Sequence, residues 1–147
     1  MSDASGPISD GVRAASLLEE ACQRASPNAS QIEVMCRLAL DLKRQLDALA
    51  NFVQEDATPD ILVEAAICCA DLANLAACNA PDLPPDAEPY EATRLAAGAV
   101  AALVPMIEAG NTELGAGHAE NLLRDARSAG WRAKFAARLA EGPSEES

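Results

Sequence analysis

The stretch Pro89–Asn111, PYEATRLAAGAVAALVPMIEAGN, decides the fold class. It holds the longest uncharged run in the chain, Leu95 to Ile107, made mostly of alanine, glycine, valine and leucine. A proline at a first-turn position opens it. Gly110-Asn111 closes it as a left-handed helix stop. Apolar residues fall almost all the way round the helical wheel, so this helix needs other helices around it. Pro105 removes a backbone hydrogen bond and crowds the Ala101 carbonyl, which predicts a kink there.

The rest of the chain agrees with an all-α reading. Half of its 147 residues are hydrophobic and 33 are alanine, against one Trp, one Tyr and two Phe. Alanine has the best helix propensity and lets helices approach closely. The scarcity of β-branched and aromatic residues argues against sheets. A chain of this length suits one core.

Working outward, residues 1–9 read as a disordered tail, and Ser9 or Asp10 caps a short first helix over about Gly11–Ala25. Its apolar positions are Val12, Ala15, Leu18 and Cys22. Ser30-Gln31-Ile32-Glu33 is a capping box that starts a long helix to about Glu55. Its core line is Ile32, Met35, Leu38, Leu42, Leu46, Leu49 and Val53. Thr58-Pro59-Asp60 supplies N-cap, N1 proline and first-turn acid for a helix over about Pro59–Asn79. There Leu62, Ala66, Cys69, Leu72 and Ala76 form the inward stripe, and Glu64, Asp71, Asn74 and Cys78 the wet one. A proline-rich linker, Asn79 to Glu88, leads into the opening stretch. The last helix spans about His118–Glu141, with Ala126, Ala129, Ala133, Ala137 and Ala140 as a small-residue inner stripe. A polar tail follows, over residues 142–147. These elements predict an all-α antiparallel bundle of four main helices plus a short N-terminal helix, one domain over residues 10–141.

The formal charge is −12. Such a field repels phosphate backbones and anionic lipid, so neither nucleic acid nor a membrane is the expected partner. The N-terminus has no basic and apolar leader pattern. The uncharged runs fall short of the roughly 20 residues that span a bilayer. A cytoplasmic protein with five reduced cysteines is expected.

Cys22, Cys36, the vicinal Cys68-Cys69 and Cys78 contain no C-x-x-C, so zinc-ribbon and thioredoxin-type sites are excluded. Buried, they are small apolar side chains. Converging, Cys36, Cys68, Cys69 and Cys78 would make a soft thiolate site for copper(I). Cys69-Ala70-Asp71 with the lone His118 resembles the copper-storage four-helix bundles. That resemblance implies a degenerate metal site, since positions such as Ala102, Ala126 and Ala129 carry alanine where that family carries inward cysteines. Pro89 to Gly110-Asn111, with the small-residue helix after it, is similar to the C-terminal part of the cyclodeaminase and methenyltetrahydrofolate cyclohydrolase family. This covers about a third of the chain and implies a reduced folate-type bundle. That family's glycine-rich N-terminal helix pair and the aspartate after Gly-Asn are absent. His118 lacks the following Lys-Gly of a phosphotransfer bundle and reads as a surface residue. No Ser/His/Asp, Cys/His or Glu-x-x-His arrangement points to catalysis, and no cofactor is implied.

The last helix differs in charge from the others. Arg124, Arg127, Arg132, Lys134 and Arg138 face only Glu120 and Asp125 ahead of the terminal Glu141, beside the i,i+4 pair Trp131 and Phe135. Two readings follow. Trp131 and Phe135 are core, with the arginines paired to carboxylates of the same chain. Alternatively, Arg124, Arg127, Trp131, Arg132, Phe135 and Arg138 bind an acidic protein partner or a second copy. The leading expectation is a non-enzymatic interaction module of this kind, self-associating through small-residue faces as a homo-oligomer.

Overall fold

The computed structural model describes residues 5–24, 30–55, 58–79, 88–110 and 116–141. All of these but Thr58 are helical. Five helices follow in order: α1 (Ser5–Arg24), α2 (Ser30–Glu55), α3 (Pro59–Asn79), α4 (Glu88–Gly110) and α5 (Ala116–Glu141). They pack on one another as an all-helical, bundle-like body with α3 at its centre.

Where the helices begin follows from local chemistry. Thr58 caps α3: its Oγ1 accepts from the Ile61 N–H at 3.4 Å, and its carbonyl accepts from the Leu62 N–H at 3.1 Å. At the other end of α3, Asn79 Nδ2 donates to the Leu75 carbonyl at 2.8 Å, satisfying an acceptor the helix leaves open. Pro7 lies in the first turn of α1, where a missing N–H costs nothing.

The first helix differs from expectation. It starts at Ser5 and is 20 residues long, so residues 5–9 of the expected tail are helical. Ile8 is fully buried with Ala15, Leu18 and Cys22. Steps of four and three from Ile8 through Val12, Ala15 and Leu18 to Cys22 give α1 one continuous inner face. That face packs on α4 and α2, making α1 a full member of the body rather than an accessory.

The centre of the core also moves. The α3 helix packs against all four others, and eleven of its residues are buried. Its widest interface is with α4, whose buried positions include Ala92, Ala96 and Ala99. The α4 helix is not surrounded: Gly98, Ala101, Ala102, Pro105 and Ala109 are exposed along one side. Its apolar character all round reflects small residues, and burial follows Val100, Leu103 and Ile107 on the other side. The helix continues unbroken through Pro105.

On α2, Met35, Leu46 and Leu49 are buried, Leu42 is half-buried, and Leu38 is 46% exposed, with Ala39 taking the inner place. The side chains of Ile32 and Val53 lie outside those described. Arg37 pairs with Glu33 one turn earlier, at 3.5 Å. On α5, Ala126, Ala129 and Ala133 are buried, the line continues to Ala136, and Ala137 is half-buried.

Two helices, Pro59–Asn79 and Tyr90–Ala109, are long and apolar enough by length and composition to cross a membrane, which uncharged-run lengths did not anticipate. In this fold 61% of the α3 window is buried inside the protein.

Cross-helix pairs fix relative directions. His118 Nε2 lies 2.9 Å from Asp60 Oδ1, joining the start of α5 to the start of α3. Further along, Arg132 pairs with Asp71, so α3 and α5 run the same way. Cys68 Sγ donates to Gln45 Oε1 at 3.3 Å. Gln45 and Cys68 are nearly equidistant from the Thr58 turn, so α2 and α3 run side by side in opposite directions.

Candidate interaction surface

Three large apolar side chains emerge from α5 at steps of four. Trp131 is 73% exposed, Phe135 54% and Leu139 48%. The buried alanines occupy the opposite side of the same helix, which leaves this stripe facing outward. Trp131 and Phe135 are therefore not core side chains, although they are among the largest in the chain. Beyond Leu122 the inner positions of α5 are all small, and α5 lies close against α3 and α4. At Gly130 a Cβ would stand 3.6 Å from Val104 Cγ2 of α4, ordinary contact distance.

The cations divide into two groups. Arg132 reaches back across the α3–α5 seam and donates to Asp71 Oδ1. It is thereby held beside Trp131. Arg124 donates to Asn121 Oδ1 at 3.0 Å within its own helix. Arg127, Lys134 and Arg138 are exposed and make no ion pair among the described residues. Between Trp131, Arg132, Phe135 and Asn74 of α3 lies an open depression of about 290 Å³. Of the six residues expected to bind a partner, the structure thus brings Trp131, Arg132 and Phe135 together. Arg124, Arg127 and Arg138 are further exposed cations on the same helix. Leu139 and Asn74 belong to this surface and were missed. Leu139 could have been found by extending the step of four. Asn74 comes from a helix distant in sequence.

The cysteines do not converge. Cys36 neighbours Cys22 across the α1–α2 contact. Cys68 bonds to Gln45, and the exposed Cys78 donates to Asn74 Oδ1 at 3.7 Å. Cys69 is fully buried against α1, where a Cβ on Gly11 would stand 2.6 Å from its Sγ. Among the described residues, no three His, Cys, Asp or Glu side chains group so as to hold a metal. Burial, helped by the charges of Asp71 and Glu64, pushes the Cys68 thiol up to about 11. Burial, with Cys68 and Asp10 adding to it, pushes Cys69 up to about 12. Cys22 is raised further, first by burial and then by the neighbouring Cys36 thiol. These three thiols stay protonated at neutral pH, which opposes thiolate chemistry.

His118 is exposed at the start of α5 and engages Asp60. Residues 111–115, which follow the Gly110 end of α4 on which the folate-type resemblance rests, lie outside the described residues.

A second, smaller apolar set was not anticipated as surface. Val34, Leu38 and Phe52 are exposed on α2. Their spacing from Gln45, which touches Cys68, puts them on the side of α2 that borders α3. Compared with known protein families and with curated proteins, the chain matches none.

Proposed function

We propose that this protein is a non-enzymatic helical module that binds an acidic protein partner or a second copy of itself through α5. The exposure of Trp131, continued by Phe135 and Leu139 between cations, carries this reading. Aromatic and arginine side chains are the residue types that dominate binding energy at protein interfaces. The charge distribution favours an acidic counterpart. The α5 helix holds five basic and three acidic residues, whereas α1 to α4 together hold six basic and thirteen acidic. The remaining seven acidic residues lie outside the described residues, in stretches whose sequence carries no Lys or Arg. Helices alternating in direction along the chain, and a reducing cytoplasmic setting for the five free thiols, complete the proposal.

Trp131 is the only tryptophan, so its emission reports this surface directly. Titration with an oligoglutamate peptide in low-salt buffer should shift the emission to the blue, and substitution of Arg124, Arg127 and Arg138 by Glu should remove that shift. An emission spectrum unmoved by the peptide and by protein concentration would sink the interaction reading.

A further inference from the structure

The exposed stripes of α2 and α5 flank the same strip of α3. Gln45 stands level with Cys68, and Arg132 with Asp71. Counting away from these pairs at 1.5 Å per residue gives three rungs. Asp41, Asp71 and Trp131 form the first. Leu38, Leu75 and Phe135 form the second. Val34, Cys78 and Leu139 form the third. Each rung has α2 on one side, α3 in the middle and α5 on the other. The α2 and α5 helices make no substantial contact with each other, so the strip of α3 lies between two apolar ridges.

Resting on the α5 reading above, we propose that the chain forms a two-fold dimer in which α5 of each copy packs on α2 of the other, with the axis along the outward strip of α3. Rotation about an axis parallel to α3 exchanges left and right and keeps height. Phe135 and Leu139 of one copy then meet Leu38 and Val34 of the other, twice over, as a closed interface requires. Charge selects this axis. Rotation about an axis across α3 would lay α5 antiparallel on α5 and bring the cations Arg124, Arg127 and Arg138 of the two copies together. Along α3, the cationic edge of α5 meets Asp41 of the α2 stripe, while the neighbouring Arg37 is already paired with Glu33. At the centre, Asp71 already has Arg132 as its counterion, which limits repulsion between the two α3 strips.

Sedimentation across a range of protein concentrations tests this with four chains: the native protein, Leu38→Asp, Trp131→Ala and Cys78→Ser. Circular dichroism confirms that each is folded; Leu38 is exposed, so an aspartate there remains solvated in the monomer. The native chain should dimerise, and both Leu38→Asp and Trp131→Ala should raise the dissociation constant roughly tenfold or more. Cys78 lies on the axis strip, so diamide should join two native copies through it. In that step two thiols lose two protons and two electrons to the azo bond as one disulfide forms. Cys78→Ser should abolish the cross-link. A native chain that stays monomeric overturns the dimer. So does a Leu38→Asp chain that still dimerises, or a cross-link that survives Cys78→Ser. The oligoglutamate titration is independent of these results: a monomer whose Trp131 emission responds to the peptide loses the two-fold dimer and keeps the binding surface.

Discussion

At Gly11 there is no room for a side chain. A Cβ would approach Cys69 Sγ to 2.6 Å and Leu46 Cδ1 to 3.1 Å, and both neighbours are fully buried. Alanine in a helix gains about 1 kcal/mol over glycine, while overpacking a core costs about 1–3 kcal/mol. Gly11→Ala should therefore destabilise by about 1 kcal/mol in urea unfolding. Gly98 is the contrast: nothing lies within 4 Å of its would-be Cβ, and the residue is exposed. Gly98→Ala should stabilise by about 0.5–1 kcal/mol. The same core sets a limit in alkali. Cys68 and Cys69 are raised from 9.0 to about 11 and about 12. Above pH 9 the unfolded thiols release protons that the folded ones retain, so the unfolded state binds fewer protons and stability falls with pH. Urea midpoints should be unaffected by these thiols below pH 9 and should drop progressively between pH 9 and 12. In parallel, Ellman's reagent at pH 8 should modify the exposed Cys78 well before Cys22, Cys68 or Cys69.

Among the elements, α3 shows how far local chemistry reaches. Its span, Pro59–Asn79, was legible because Thr58, Pro59 and Asp60 each satisfy a separate requirement of a helix start. Thr58→Ala removes the acceptor for the Ile61 N–H and should cost about 1 kcal/mol, whereas Thr58→Ser should cost little; thermal unfolding measures both. The start of α1 was not legible. Ser5-Gly6-Pro7 reads as a chain breaker until Ile8 is seen to continue the Val12, Ala15, Leu18 line, since proline is harmless in a first turn. Which helix is central could not be read from α4 either. An alanine-rich helix is apolar on every side, so composition leaves its buried face open, and the larger Val100, Leu103 and Ile107 decide it. The α5 site was half visible. Trp131, Phe135 and their cations stood out, but whether they were core or surface depended on how closely α3 and α4 approach. The Arg132–Asp71 pair spans 61 residues and has no local signature. Leu38 was read as core because steps of three and four admit it; it lies at the edge of that stripe, one position from the buried Ala39.

For the whole molecule, charge and contact oppose each other. Two copies of −12 charge, with centres about 25 Å apart, repel by about 2 kcal/mol at 0.1 M salt and negligibly at 0.5 M, on a screened Coulomb estimate in water. The contacts that hold the dimer are mainly apolar, and exposed ion pairs at its edge contribute about 0–1 kcal/mol each before screening. Repulsion is therefore the larger salt-dependent contribution. Raising salt from 0.1 to 0.5 M should tighten the dimer several-fold, a direction opposite to that of an interface held by α5 cations alone. Binding of a short oligoglutamate to the Trp131 surface should weaken over the same range, because it draws on local cation contacts. Sedimentation and Trp131 emission across the salt series separate the two. A dimer that loosens with salt would mean that charge, not the Leu38 and Phe135 ridges, holds the copies together.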